Sequence, residues 1–151
     1  MKMLSKLFTF ASYTALPGWV LLIIFPHWHF TQTVVVGVVV TLLCVIYAYL
    51  AFFGRRHDEP GSKNRGHFRS LAGVMRLFES PRIALAGWVH YLAFDLMVGL
   101  FIVTNAAHYN ISHWLLIPCL LLTLMFGPAG LLLYLLLRFA VTQDYLAVNF
   151  F

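Results

Sequence analysis

Charge is what this sequence lacks most. Of its 151 residues only 10% are aspartate, glutamate, lysine or arginine, while 62% are hydrophobic. Soluble domains carry about one quarter charged residues, so a water-soluble domain is excluded and a membrane protein is expected. Acidic residues are the scarcer sign, five against ten basic ones, for a net charge of +5. Such a balance can indicate nucleic acid, but here the basic residues fall at the ends of apolar runs and between them. Membrane lipid is therefore the expected partner, and nucleic acid is not. Cysteine is scarce as well. Cys44 and Cys119 both lie inside apolar runs, with neither the spacing of a metal site nor the numbers of a disulfide framework. The period-two alternation of a barrel strand is also missing, and no internal repeat is evident.

What is present is a set of four long apolar runs, about 7–25, 31–53, 83–104 and 113–137. As a helix, each can cross roughly 30 Å of hydrocarbon. Lipid demands helices, because free backbone groups find no water there. The opening "MKMLSKLFTFASYTALPG" has the two lysines of a signal peptide, but its apolar run continues through Pro17 to Phe25 and reads as a first span. The expected fold is all-α: one polytopic membrane domain over 1–151, with four transmembrane helices in a bundle.

Between spans two and three, "GRRHDEPGSKNRG" reads as a loop. In "HFRSLAGVMRLFES", Phe68, Leu71, Val74, Met75 and Phe78 recur at helical spacing, which predicts an amphipathic helix over about 67–80 on the inner face. Lys2 and Lys6 precede span one, Arg138 follows span four, and the other seven basic residues lie between spans two and three. The connections "PHWHF" and "NAAHYNIS" hold no lysine or arginine. The positive-inside rule then puts both termini on the cytoplasmic side or its organellar equivalent. The chain looks bacterial, which makes an inner membrane the expected location.

The stretch "WVHYLAFDL" (88–96) places an ionisable pair inside span three. A mid-span aspartate costs a few kcal/mol on insertion scales, so Asp95 should face the bundle interior, either paired or protonated. That suits a proton donor or shuttle; the alternative is an interhelical hydrogen bond that fixes packing. His90 stands five positions earlier, about 140° around the helix. Asp95 aligns with Trp88, Tyr91, Leu92, Gly99 and Ile102, and His90 with Ala86, Phe94, Met97 and Phe101. Only a broad ligand could touch both.

Pro17 in "LPGW" and Pro128 in "FGPAG" lie inside spans, where they should kink the helices and free carbonyls near Tyr13 and Leu124. The adjacent glycines, Gly127 among them, let a backbone or a flat ligand approach closely. His27, His29, His108 and His113 gather at the outer end, but no carboxylate or cysteine lies near them in sequence, so no metal is expected. Haem needs histidines on two helices at similar depth, and only His90 lies well inside a span.

Taken in order, "LPGWVLLIIFP" (16–26), "GVMRLFESPRIALAGWVHYLAFDLMVG" (73–99) and "FGPAGLLLY" (126–134) resemble the neoxanthin-synthase-like membrane family over nearly the whole chain. The resemblance implies a small four-span protein linked to carotenoids or other isoprenoids. Plant members of that family act in abscisic acid precursor synthesis and are associated with converting the epoxide violaxanthin to the allene neoxanthin. Such an isomerisation needs an acid and a base and no redox cofactor. Asp95 and His90 are the candidate catalytic pair. Trp88, Tyr91, Phe94, Trp19, Gly99, Gly127 and Pro128 are the candidate ligand-binding residues, offering flat walls to a polyene. The rival expectation is a non-catalytic carotenoid- or lipid-binding module, working with a second copy of the chain or a partner membrane enzyme.

Overall fold

All four apolar runs form helices in the computed structural model, which describes residues 2–58 and 66–143 apart from the side chains of Arg55 and His57. The helices are α1 (Lys2–Ile24), α2 (Thr31–Phe53), α3 (Leu71–Phe78), α4 (Pro81–His108) and α5 (His113–Thr142). No strand occurs among the described residues. All but α3 are long and apolar enough to cross a membrane, so the chain is an all-α protein with the build of an integral membrane protein. Residues 59–65 of the expected loop lie outside those described.

The core forms around α4, the most buried helix, against which the other three long helices pack. α1 buries Leu4, Ala11, Ala15, Gly18, Trp19 and Leu22, spaced as one helical stripe. Two glycines set how closely α1 and α4 approach. A Cβ at Gly18 would stand 2.9 Å from a Leu96 methyl, and one at Gly99 would stand 3.0 Å from the Trp19 ring. In lipid, where apolar surface alone drives little association, such small-residue contacts carry helix packing. The α1 helix continues unbroken through Pro17.

At the Lys2 end of the bundle, Arg82 ties the start of α4 to the end of α2. Its Nε and Nη2 donate to the Asp58 carboxylate (2.8 and 3.0 Å), and its Nη1 donates to the Leu50 carbonyl (2.9 Å). The guanidinium is buried, so these three bonds replace lost water. Arg82→Ala is expected to cost about 2 kcal/mol in detergent-titrated unfolding. Arg82→Lys should recover only part of that, because an ammonium cannot form the two-pronged pair. An unchanged midpoint for Arg82→Ala would show that the clamp contributes nothing.

The amphipathic segment is helical over a shorter range than the pattern predicts. Ser70 caps α3, its hydroxyl oxygen accepting from the Gly73 amide (3.1 Å), and Pro81 opens α4 directly afterwards. Phe68, Leu71 and Met75 are exposed, while Phe78 rests on Gly87 of α4.

α5 departs most from a simple bundle. Its backbone leaves the helical region at Phe126 (φ −147°, ψ 63°), two residues before Pro128. Beyond that point the helix doubles back along itself. A Cβ at Gly130 would stand 2.6 Å from the Cys119 carbonyl oxygen, although eleven residues of unbroken helix span about 16 Å. Further along, the Tyr134 hydroxyl donates to Asn105 Oδ1 (2.6 Å), and Arg138 lies over the Tyr109 ring (5.4 Å). The first half of α5 thus descends along α4 from the 109–112 connection, and the second half climbs back to it. Non-helical backbone at membrane depth is tolerated where protein buries it, and Gly127 at the bend is buried.

This corrects the reading of Arg138 as one of ten basic residues on one side. Arg138 is 1% exposed and hydrogen-bonds Asn105 Oδ1 (3.2 Å), at the end of the bundle opposite Lys2. A side chain held inside the fold does not flank a span, and the shared-side argument for the two ends of the chain loses its support there.

Candidate functional site

The tip of the α5 hairpin meets α4 at Asp95, midway along that helix. Asp95 is 6% exposed. The groups facing its carboxyl are the Tyr91 hydroxyl and the Gly127 backbone amide. One carboxyl oxygen, Oδ2, is buried without a hydrogen-bond partner.

Local sequence explains the arrangement. Pro128 has no N–H, so the carbonyl four residues back, that of Leu124, is released from the helix ladder. The Tyr91 hydroxyl, one helical turn before Asp95 on the same face of α4, donates to that carbonyl (3.3 Å). The break at Phe126 likewise leaves the Gly127 amide at the start of a new helical half, where an acceptor is needed. Asp95 supplies it from another helix. Only glycine fits at 127, because a Cβ there would collide with the Asp95 carboxyl.

The pairing gives Tyr91 two acceptors and one hydrogen. With Asp95 ionised, the hydroxyl can turn to the carboxylate. With Asp95 protonated, the acid can donate to Tyr91 while Tyr91 donates to Leu124. The hydrogen between Asp95 and Tyr91 can thus point either way, with the Leu124 carbonyl as the alternative acceptor, and Tyr91 is only half-buried. Trp88 adjoins it, its ring stacked on Tyr91 at 5.5 Å. Its indole N–H is held by the Ser12 hydroxyl of α1 (3.1 Å), a contact with no sequence signal.

The other expected site residues divide. Asp95, Tyr91, Trp88 and Gly127 are brought together, with Pro128 exposed beside them. Trp19 and Gly99 lie against each other in the α1–α4 contact, and Trp19 is 3% exposed. They pack helices and offer no wall. His90 and Phe94 stack on each other (4.2 Å) on a different face of α4, both exposed, with Tyr47 alongside at 5.7 Å from His90. The structure does not bring His90 to Asp95. At the far end, His27 and His113 rings lie 6.2 Å apart, and His113 Nε2 is bound to the Ile23 carbonyl (2.8 Å). No group of three or more histidine, cysteine, aspartate or glutamate residues that could hold a metal occurs among the described residues.

Compared with known families, residues 6–134 match the family described as ABA DEFICIENT 4-like. No curated protein and no solved structure matches the chain.

Proposed function

Because the chain belongs to the ABA DEFICIENT 4-like family, whose membership suggests a carotenoid- or xanthophyll-related membrane protein, we propose that it is a redox-neutral carotenoid isomerase using Asp95 and Tyr91 as one acid–base unit. The observation that supports this reading is the buried Asp95 carboxyl with a free Oδ2, faced by the hydroxyl of a half-buried tyrosine. In an epoxide-to-allene conversion the C–O bond breaks and its electron pair goes to oxygen, which takes a proton. A carbon-bound proton leaves, and its electron pair becomes the second of two adjoining double bonds. One proton enters and one departs, so the products are isomers and the protein ends as it began. Protonated Asp95 delivers the first proton through the Tyr91 hydroxyl, and the resulting carboxylate recovers the second. The Trp88 face next to Tyr91 offers a flat surface to a polyene.

A second reading has its own observation, the collision that any Cβ at Gly127 would make with Asp95. On that reading Asp95 caps the hairpin tip, and the protein holds a carotenoid or lipid without turning it over. Asp95→Asn separates the two. Asparagine keeps an oxygen for the Gly127 amide but exchanges no proton at ordinary pH. Expressed with candidate epoxy-carotenoids and followed by pigment analysis, it should keep its unfolding midpoint and lose conversion by 100-fold or more. Full conversion by Asp95→Asn would end the acid–base proposal. No conversion by the unchanged chain, with pigment still bound, would favour the holder.

A further inference from the structure

A groove of about 760 Å³ runs between the first turns of α1 and α4, lined by Lys2, Leu4, Lys6, Phe8, Leu85 and Trp88 among others. We propose that it seats one anionic phospholipid, its phosphate between Lys2 and Lys6 and an acyl chain along the aromatic wall. This does not depend on the carotenoid reading or on Asp95.

Three observations select that occupant. The rim is cationic: Lys2 and Lys6 lie four residues apart on one face of α1, are exposed, and have no acidic partner among the described residues. The walls are apolar. Trp88 turns its ring toward the groove while its N–H is occupied by Ser12, and the Phe8 ring lies 5.6 Å from it. The lined stretch from Lys2 to Phe8 measures about 10 Å along the helix, the depth of a headgroup and the first part of a chain. A free phosphate would leave those walls wet, a neutral lipid would leave two ammonium groups unmatched, and a docked apolar helix would bury them. Anionic phospholipid answers both halves of the surface.

The test is native mass spectrometry of the full chain from mild detergent, with phosphatidylglycerol or phosphatidylcholine added at equal concentration. A single phosphatidylglycerol adduct should survive and exceed the phosphatidylcholine adduct. The Lys2→Gln, Lys6→Gln double variant should lower phosphatidylglycerol affinity roughly thirtyfold, since each lysine near a lipid phosphate contributes roughly five- to sixfold. The double variant Arg69→Gln, Arg76→Gln, one residue just before α3 and one on it, should leave the adduct unchanged. Unfolding midpoints in detergent alone should match for all three proteins, because the lysines are exposed. Equal retention of the two lipids, or equal loss in the two double variants, would overturn the proposal by reducing it to general surface charge. Displacement of phosphatidylglycerol by an equal concentration of inorganic phosphate or a prenyl diphosphate would overturn the choice of occupant.

Discussion

Gly130→Ala is expected to destabilise the fold by about 3 kcal/mol or more, the upper end of what overpacking costs. The added methyl would collide with the backbone amide and hydroxyl of Thr123 and stand 2.6 Å from the Cys119 carbonyl oxygen. Backbone atoms of the opposing half-helix cannot swing aside as a flexible side chain can, so the two halves of α5 must part. Gly37→Ala is the internal control. A Cβ there meets nothing within 4 Å, and alanine in place of a helical glycine should be neutral or favourable by a few tenths of a kcal/mol to about 1 kcal/mol. Gly127→Ala should be costly for a different reason, since the atoms nearest its methyl all belong to the Asp95 side chain. Trimming Asp95 to alanine should therefore relieve Gly127→Ala and leave Gly130→Ala unrelieved. Detergent-titrated unfolding of the four single variants and two doubles reads this directly. Equal costs for Gly37→Ala and Gly130→Ala would show that the halves of α5 do not touch.

The bundle is legible because crossing lipid imposes a rule on each residue separately. A run of some twenty predominantly apolar side chains that crosses lipid must be a helix, and all four such runs are helical, the third in spite of Asp95. The hairpin escapes that rule. Residues 114–137 carry no charged side chain and are strongly apolar, so hydropathy cannot distinguish one crossing from two half-crossings folded together. The information lies in "FGPAG", where a proline and two glycines combine, and in Arg138, whose hydrogen-bond partner Asn105 is thirty-three residues away in sequence.

The site divides along the same line. Helical periodicity alone puts Tyr91 and Asp95 on one face and His90 on another, as the structure has them. Proline chemistry alone frees the Leu124 carbonyl that Tyr91 uses. Partners drawn from other helices carry no such mark. Nothing local to Gly127 announces that a carboxyl stands where its side chain would be, and nothing near Ser12 announces Trp88. Trp19 and Gly99 show the converse ambiguity. An aromatic and a glycine suit a ligand wall, but they suit each other equally well, and the contact between α1 and α4 uses both.

The sharpest consequence of the hairpin is an all-or-none labelling pattern. If α5 crossed the membrane once, Gln143 would emerge on the side of Glu79, which joins α3 to α4. Because the second half climbs back toward Asn105 and Tyr109, Gln143 should instead emerge beside Ser112. Single cysteines at these three positions, in a chain with Cys44→Ala and Cys119→Ala, report it through a thiol reagent that does not cross the bilayer. Ser112→Cys is nearly isosteric at a cap whose side chain makes no capping bond. Gln143 itself already holds a left-handed conformation (φ 57°) at the last turn, so Gln143→Cys adds no new backbone strain. In sealed vesicles of one orientation, Ser112→Cys and Gln143→Cys should react together and Glu79→Cys only after the membrane is opened, or the reverse in the opposite orientation. Gln143→Cys labelling from the same side as Glu79→Cys would mean that α5 is a single crossing, and with it would fall the delivery of Gly127 to Asp95 at mid-depth on which the proposed acid–base unit depends.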